Sequence, residues 1–156
     1  MERLSGVGPT SEHCTFCRVI RGQVQSYIVF EDEASLAFLD HRPLFPGHCL
    51  LVPRDHYETL VDLSAALIPP LFTHAQLLAR AVEQSLEADG SFVAINNCIS
   101  QSVPHLHIHI VPRRKKDGLK GFFWPRQPHK DQETTLKMQK ILRSGIARLQ
   151  FGWARA

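Results

Sequence analysis

The chain has 156 residues, of which 44% are hydrophobic and 21% are charged. This balance is typical of one ordinary soluble globular domain with a core of its own. No apolar run approaches the roughly 20 residues that a membrane-spanning helix needs, so we expect no membrane partner. Because the N-terminus MERLSGVGPTSEH lacks a hydrophobic signal core, we expect a cytoplasmic protein.

The net charge of +3 is concentrated in one segment. Residues 112–130 contain seven of the 18 basic residues and one of the 15 acidic residues, a local charge of +6. The remaining 11 bases and 14 acids carry −3. The segment is interpreted either as a solvated loop or as an electrostatic guide for a phosphorylated substrate. Its basic residues are Arg113, Arg114, Lys115, Lys116, Lys120, Arg126 and Lys130.

The N-terminal half predicts three strands. Residues 27–31 and 35–39 are short apolar runs separated by a polar turn, a pattern that indicates a hairpin. Two prolines and a glycine break residues 40–47 into a loop. Residues 48–52 then predict a buried strand, which Pro53 ends.

The middle of the chain predicts a helix and two further strands. Pro69 and Pro70 suit a helix start, and Gly90 stands where a C-terminal cap is expected. Strands are predicted at residues 92–95 and 104–111. The helical spacing of three and four is carried by Leu71, Ala75, Leu78, Val82 and Leu86.

A second amphipathic helix is predicted over residues 132–149, with Lys137, Lys140 and Arg148 facing outward. Helices placed among consecutive antiparallel strands indicate an α+β fold. We therefore expect a sheet of about five antiparallel strands with two main helices. The residues predicted to face inward on the second helix are Met138, Ile141, Leu142 and Leu149.

Three histidines, His105, His107 and His109, recur at every second position with aliphatic residues between them. In an extended strand they share one face. A zinc hydrolase, a purely structural crevice and nucleophilic catalysis are three interpretations of this pattern. One ion cannot easily take all three ligands, because the outer two lie roughly 13 Å apart along a strand. For nucleophilic catalysis the chemistry favours His107, which has a histidine on each side.

Residues 101–111 (QSVPHLHIHIV) resemble the signature of the histidine triad (HIT) superfamily, including the Gln-Ser-Val that precedes the histidines. The resemblance covers about residues 14–112 and is closest to small prokaryotic HIT proteins and histidine triad nucleotide-binding proteins. It implies a HIT-like fold for the domain at 14–112. Outside that span we expect a loose N-terminal segment at 1–13 and a basic and aromatic extension at 113–156, with the amphipathic helix, packed on the same domain. The other landmarks are Cys14-Thr-Phe-Cys17, Glu31-Asp-Glu33, Leu36-Ala-Phe-Leu-Asp40, Pro46-Gly-His48 and Leu51-Val-Pro-Arg-Asp-His56.

The resemblance implies a nucleotidyl hydrolase or transferase that forms a covalent nucleotidyl-histidine intermediate. The substrates would be nucleoside phosphoramidates or dinucleoside polyphosphates. His107 would attack the α-phosphate, His109 and Ser102 would hydrogen-bond nearby, with Ser102 beside the leaving group, and His48 would close the site. Asp40 would hold the ribose hydroxyls, since a carboxylate accepts two hydrogen bonds. The remaining implied nucleotide-binding residues are Phe16, Phe38, Leu50, Gln101 and either Asn96 or Asn97.

The implied partners are a purine nucleotide and a second copy of the chain in a homodimer, with no nucleic acid. The alternative function is a nucleotide-binding regulatory module with vestigial turnover, whose basic and aromatic tail engages a partner or nucleic acid. In that tail, Phe122, Phe123 and Trp124 would pack on the body, on a second subunit or over the nucleotide.

A Cys-x-x-Cys pair in a reducing compartment indicates a metal or redox pair. The resemblance implies a structural zinc ion held by Cys14, Cys17, His56 and His105, while no metal is required for the reaction at phosphorus. Two reduced thiols packed in the core are the alternative. Cys49 and Cys98 are expected to be buried or idle thiols.

Overall fold

The computed structural model describes residues 11–119 and 127–153, with side chains to residue 150. Within these ranges the chain forms three α-helices, five strands and a short 3-10 helix over Ala65–Leu67. The helices are α1 (Thr15–Ile20), α2 (Ile68–Ser85) and α3 (Gln132–Trp153). The strands are β1 (Ile28–Glu31), β2 (Ser35–Leu39), β3 (Cys49–Pro53), β4 (Gly90–Ile95) and β5 (Ile108–Arg113).

The five strands form one antiparallel sheet in the order β1-β2-β3-β5-β4. Strand β3 lies at the centre and is buried along its whole length. Helix α2 connects β3 to the edge strand β4, and β5 returns between them, so that Leu50 on β3 pairs with His109 on β5. The predicted α+β fold with about five antiparallel strands is confirmed.

Alternation along β3 divides the core into two layers. Leu51 belongs to a cluster that includes the buried residues of α2, whereas Leu50 and Val52 belong to a cluster that includes Phe16 and Cys17 of α1. Because successive strand residues point to opposite faces, a single apolar strand supplies both layers. The face of the sheet that carries Leu50 therefore lies beside the short helix α1, and the side chains of His107 and His109 line a cavity with Leu50 on this face.

A partly buried polar contact joins the β1–β2 hairpin to α2. His74 Nδ1 lies 2.8 Å from the Ser35 hydroxyl, and His74 Nε2 lies 3.0 Å from a carboxylate oxygen of Asp32. The order resembles a Ser–His–Asp relay, but Ser35 is fully buried and a substrate cannot reach it. The contact is structural and holds the hairpin against the helix.

The structure departs from the local expectations at two points. Helix α1 was not predicted, although it carries Phe16 and Cys17. Gly90 does not cap α2, because the helix ends at Ser85, with Leu86 as its cap residue. Gly90 instead begins β4.

The predicted strand 104–111 begins only at Ile108. Of the three histidines, His109 alone therefore lies within β5, while His105 and His107 precede it. Their rings still follow one another along the same side, since the ring centroids of His107 and His109 are 4.9 Å apart. Phe16 contacts the rings of both His105 and His107.

The chain divides into two compact units, one ending at Asp117 and the other beginning at Gly118. In the second unit α3 begins after Asp131, whose carboxylate accepts a hydrogen bond from the Thr134 N–H. The expected packing of the C-terminal extension on the domain stays a prediction. In the described parts of the chain, none of the helices has the length and apolar character required to cross a bilayer.

Candidate active site and metal centre

A cavity of about 390 Å³ opens between α1, the end of β2 and the histidine strand. Phe16 and Phe38 meet edge to face with ring centroids 5.3 Å apart, and Phe16 meets the His107 ring in the same way at 5.2 Å. This apolar wall passes directly into the row of imidazoles, which suits a ligand that is flat at one end and polar at the other. Among its lining residues are Phe16, Phe38, Asp40, Leu50, Ser102, His107 and His109.

The tautomer of His107 is fixed by the backbone carbonyl of His105. Its Nδ1 lies 2.7 Å from the carbonyl oxygen of His105. A carbonyl can only accept a hydrogen bond, so Nδ1 carries the proton and the neutral ring has its lone pair on Nε2. In this tautomer His107 Nε2 can act as a nucleophile or a base. The first of these roles is the one that the sequence predicts for the central histidine.

The opposite tautomer is imposed on His109 through His48. The backbone N–H of Leu44 donates to His48 Nδ1 over 3.1 Å, so the proton of neutral His48 lies on Nε2. That Nε2–H points at Nδ1 of His109, 3.0 Å away. Neutral His109 must therefore carry its proton on Nε2. Two adjacent imidazoles thus offer different chemistry, a lone pair on His107 and an N–H donor on His109.

Burial keeps this pair of supporting histidines neutral. The pKa of His109 is lowered to about 4, mainly by removal from water and in smaller part by the nearby His107 and His48 rings. Burial also lowers the pKa of His48, partly opposed by the carboxylate of Asp40. Both shifts favour the uncharged form that the relay of hydrogen bonds requires.

Asp40 lies at the end of the cavity beyond the imidazoles. One of its carboxylate oxygens accepts the backbone N–H of Arg42 over 2.9 Å. The other lies 3.6 Å from His48 Nδ1, a distance too long for a hydrogen bond. This oxygen retains acceptor capacity toward the cavity, which suits the two hydroxyls of a ribose.

In the loop of residues 96–102, one polar side chain lines the cavity and three others form hydrogen bonds within the protein. Ser102 lines the cavity, as the sequence predicts. Gln101 instead accepts from the Cys98 N–H and donates to the carbonyl of Glu58. Asn97 accepts the Leu60 N–H, and Asn96 lies 3.4 Å from the carbonyl of Ser100. Gln101 and both asparagines thus brace the loop, and their contact with phosphate stays a prediction.

Four side chains of types that can ligate a metal, Cys14, Cys17, His56 and His105, converge at the start of the histidine row. Cys17 Sγ lies 3.3 Å from His56 Nδ1 and 3.5 Å from His105 Nδ1, and Cys14 Sγ lies 3.5 Å from His105 Nδ1. All four ligand atoms lie within 4.8 Å of one another. For zinc–ligand bonds of about 2.0–2.3 Å, the edge of a tetrahedron measures about 3.6 Å. The cluster therefore has the donor set and the dimensions of a structural zinc site.

The second nitrogen of His105 supports this assignment. Its Nε2 donates to the carbonyl oxygen of Pro53 over 2.9 Å, which leaves the lone pair of Nδ1 facing the sulfur atoms. Burial raises the pKa of the Cys17 thiol, and the neighbouring Cys14 adds to the shift. A divalent cation would oppose this rise in the pKa, because it stabilises the thiolate form of both cysteines.

The family comparison agrees with this geometry. The profile of the HIT domain family matches residues 21–116, which include His48, His56 and all three histidines of the signature. The chain belongs to the HIT family.

Relatives of this HIT protein cover most of its length. Protein hit of Bacillus subtilis is 36% identical over 141 residues, which are 89% of this chain and 96% of that protein. Adenylylsulfatase HINT3 of Arabidopsis thaliana is 33% identical over 68% of this chain and 55% of its own length. The crystal structure of a Zn-bound histidine triad family protein from Mycobacterium smegmatis has a TM-score of 0.67 at 33% identity, covering 92% of this chain and 99% of that one.

Sequence reasoning missed two parts of the site. Helix α1 places Phe16 in the cavity wall and Cys17 in the metal cluster. Its signal was the apolar spacing of Phe16, Val19 and Ile20 behind Cys14, which is short for a helix argument. The Leu44 N–H, which sets the tautomer of His48, is a backbone group and leaves no signal in the residue type.

The remaining candidates lie outside the site. Cys49 is buried, and burial raises its pKa to about 11, so it is an inert thiol, whereas Cys98 is exposed. In the basic segment, Arg113 forms a bidentate pair with Asp117, and Arg114 donates to the carbonyls of Glu87 and Leu86. These two bases brace the domain. Lys120, Phe122, Phe123, Trp124 and Arg126 lie outside the described residues.

Proposed function

We propose that this HIT protein is a nucleotidyl hydrolase or transferase that acts on the α-phosphate of nucleoside phosphoramidates or dinucleoside polyphosphates. The observation that carries the proposal is the pair of opposite tautomers at the cavity. A lone pair on His107 Nε2 serves attack, and an N–H on His109 Nε2 serves a phosphoryl oxygen. The names of the Arabidopsis and Mycobacterium relatives are consistent with nucleotide and zinc chemistry in the family.

The reaction would proceed in two displacements. His107 Nε2 attacks the α-phosphorus, and the bond to the leaving group breaks with its electron pair on the departing atom, which takes up a proton. Water then attacks the phosphorus of the nucleotidyl-His107 intermediate, the N–P bond breaks, and a proton is released to solvent. The nucleoside monophosphate is the product, and another acceptor in place of water gives transfer.

The other predicted residues fit subsidiary roles in this scheme. Phe16, Phe38 and Leu50 enclose a purine, and Asp40 accepts hydrogen bonds from the ribose. Ser102, which lines the cavity, contacts the leaving group in this scheme. Zinc at the cluster would fix α1 to the residues that precede β5, which is a structural contribution, with the phosphorus chemistry carried by His107. Homodimerisation stays a prediction from the family resemblance.

The test is to trap the intermediate. The protein is mixed with adenosine 5′-phosphoramidate carrying an α-phosphorus label, quenched in alkali to preserve the P–N bond, and mapped by peptide mass spectrometry. Label on His107 is the expected result. The controls are His107→Ala, which must lose the label, and His129→Ala, an exposed histidine of the other unit, which must retain it. Hydrolysis that survives in His107→Ala would contradict the proposal, and binding without turnover would favour the regulatory alternative.

A further inference from the structure

A second cavity of about 230 Å³ lies against the first. The two cavities share Thr15, Ser102 and Val103, so a single wall separates them. The proposed function puts the α-phosphate at His107 with Ser102 beside the leaving group. A substituent that leaves past Ser102 therefore enters the second cavity. Its other lining residues are Ser11, His13, Cys14, His56, Glu58 and Pro104.

The charge of this cavity comes from Glu58. Among its nine lining residues, all within the described part of the chain, Glu58 is the only carboxylate and there is no lysine or arginine. Arg21 reaches the rim, where it donates to the carbonyl of Ser11. The cysteine and histidine ligands would add no net charge, because two thiolates balance a divalent zinc ion. Glu58 is therefore the one charged side chain among the lining residues, and the Arg21 guanidinium lies at the rim.

The backbone of Glu58 and its neighbours is hydrogen-bonded to the loop that precedes the histidine row. Its carbonyl accepts from Gln101 Nε2 over 2.6 Å. The Tyr57 carbonyl accepts from the Leu106 N–H over 2.6 Å, and the Leu60 N–H donates to Asn97. The hydrogen bonds of Gln101 and Asn97 thus position residues 57–60 beside the signature, and Glu58 is among the residues that line the second cavity.

We propose that the second cavity is the leaving-group subsite, and that Glu58 selects cationic amine leaving groups over polyphosphates. This inference rests on the proposed function and narrows its two substrate classes to phosphoramidates. The P–N bond breaks with its electron pair on nitrogen, which takes a proton, so that RNH–phosphoryl nucleoside and water give RNH₂ and the nucleoside monophosphate. A polyphosphate in the same place would meet the carboxylate of Glu58 with like charge.

The test uses two adenosine 5′-phosphoramidates of matched size, one bearing an N-(4-aminobutyl) group and the other an N-pentyl group. In the wild type, kcat/KM is expected to favour the aminobutyl substrate about fivefold, the range of a solvent-accessible charge pair. Glu58→Gln is expected to bring the ratio to about one. Glu58→Lys is expected to reverse it and to raise turnover of diadenosine tetraphosphate relative to the N-pentyl substrate.

Two controls separate the possible failures. Unsubstituted adenosine 5′-phosphoramidate, whose leaving ammonia is too short to reach Glu58, must be cleaved equally by all variants. Glu33→Gln removes an exposed carboxylate of the β1–β2 turn and must keep the wild-type ratio. Two results would overturn the subsite alone, provided that every substrate is cleaved. One is a wild type that shows equal kcat/KM for the aminobutyl and pentyl substrates, and the other is a preference for the aminobutyl substrate that remains in Glu58→Gln. Absence of both turnover and labelled His107 would overturn the proposed function and the subsite with it.

Discussion

His48 and His109 are joined by a hydrogen bond between imidazoles, with Nε2 of His48 3.0 Å from Nδ1 of His109. The tautomer of His109 therefore depends on a backbone group. The Leu44 N–H donates to Nδ1 of His48, which leaves the His48 proton on Nε2, and that N–H in turn leaves the His109 proton on Nε2. The loop that follows β2 therefore determines which nitrogen of a β5 residue is a donor in the cavity. Residues 40–48 act as a positioning element for the histidine row.

Removal of His48 should cost activity through His109. In His48→Ala, Nδ1 of His109 loses its donor, and the ring is free to place its proton on Nδ1 and a lone pair toward the phosphate. We expect kcat to fall about 10–100-fold, the usual cost of losing a residue that orients a functional imidazole. The ¹⁵N shifts of the His109 ring should change from the Nε2–H to the Nδ1–H pattern.

His129→Ala provides the control for this experiment, since His129 is exposed and its ring lies 3.1 Å from the Thr135 hydroxyl, within its own unit. It should leave both kcat and the His109 shifts unchanged. An unchanged His109 tautomer in His48→Ala, with kcat reduced, would assign His48 a direct contact with substrate instead.

Stability should depend on pH through His109. Its pKa is about 4 in the folded chain against the ordinary 6.5, so the unfolded chain binds more protons between these values. The free energy of unfolding is therefore highest above pH 6.5 and falls as the pH drops toward 4, by at most about 1.4 kcal/mol per pH unit for this one group. In His109→Gln this part of the slope should be absent.

The measurement is urea unfolding from pH 7 to pH 4 on the wild type, His109→Gln and the exposed control His129→Gln. The difference between the first two curves removes every titration that they share, including those of the metal cluster. Parallel curves for the wild type and His109→Gln would show that His109 is protonated equally in the folded and unfolded chains.

The sequence predicted those features that depend on residue type and spacing. The apolar runs predicted the hairpin and β3, and the steps of three and four predicted α2. The quoted motifs contain several of the residues that line the cavity and the four that form the cysteine and histidine cluster. Features that depend on backbone groups or on tertiary support were missed. Helix α1 has six residues, too few to be stable alone, and is held by packing of Phe16 and Cys17. The bracing role of Gln101 depends on the Glu58 carbonyl, which lies 43 residues away in the chain.

The cysteine and histidine cluster should bind about one zinc ion per chain when the protein is purified without added metal. Cys17→Ser should lose the metal and lower the free energy of unfolding by about 4 kcal/mol, typical for loss of a structural metal. For a chain of this size that corresponds to a fall in Tm of about 10 °C. Cys49→Ser alters a buried thiol outside the cluster and should keep the zinc.

Metal analysis and thermal unfolding on the same samples decide this prediction. Less than about half an equivalent of zinc in the wild type, by the stoichiometry of a closed four-ligand site, would favour two packed thiols. The metal should stabilise the fold without entering the reaction. Protein that remains folded after chelation should therefore still form labelled His107.

Gly47 should resist substitution because two separate constraints act on it. Its φ of +94° is a conformation that residues with a side chain rarely adopt, and an added Cβ would lie 2.3 Å from Leu86 Cδ1. Gly47→Ala should lower the free energy of unfolding by about 2 kcal/mol, from backbone strain together with displacement of Leu86. Because His48 follows directly and its N–H bonds to Phe45, activity should fall as well.

Substitutions at two other glycines distinguish the cost of the backbone conformation at Gly47 from the cost of displacing Leu86. Gly22 has a φ of +70° and nothing within 4 Å of an added Cβ, so Gly22→Ala should show the backbone cost alone, about 1 kcal/mol. Gly90 has an ordinary φ and open space, so Gly90→Ala should stay within about 0.5 kcal/mol of the wild type. Urea unfolding gives the three values, and kcat for adenosine 5′-phosphoramidate gives the functional effect. Equal losses at Gly47 and Gly22, with kcat unchanged, would mean that the Leu86 contact relaxes freely and that the loop does not position His48.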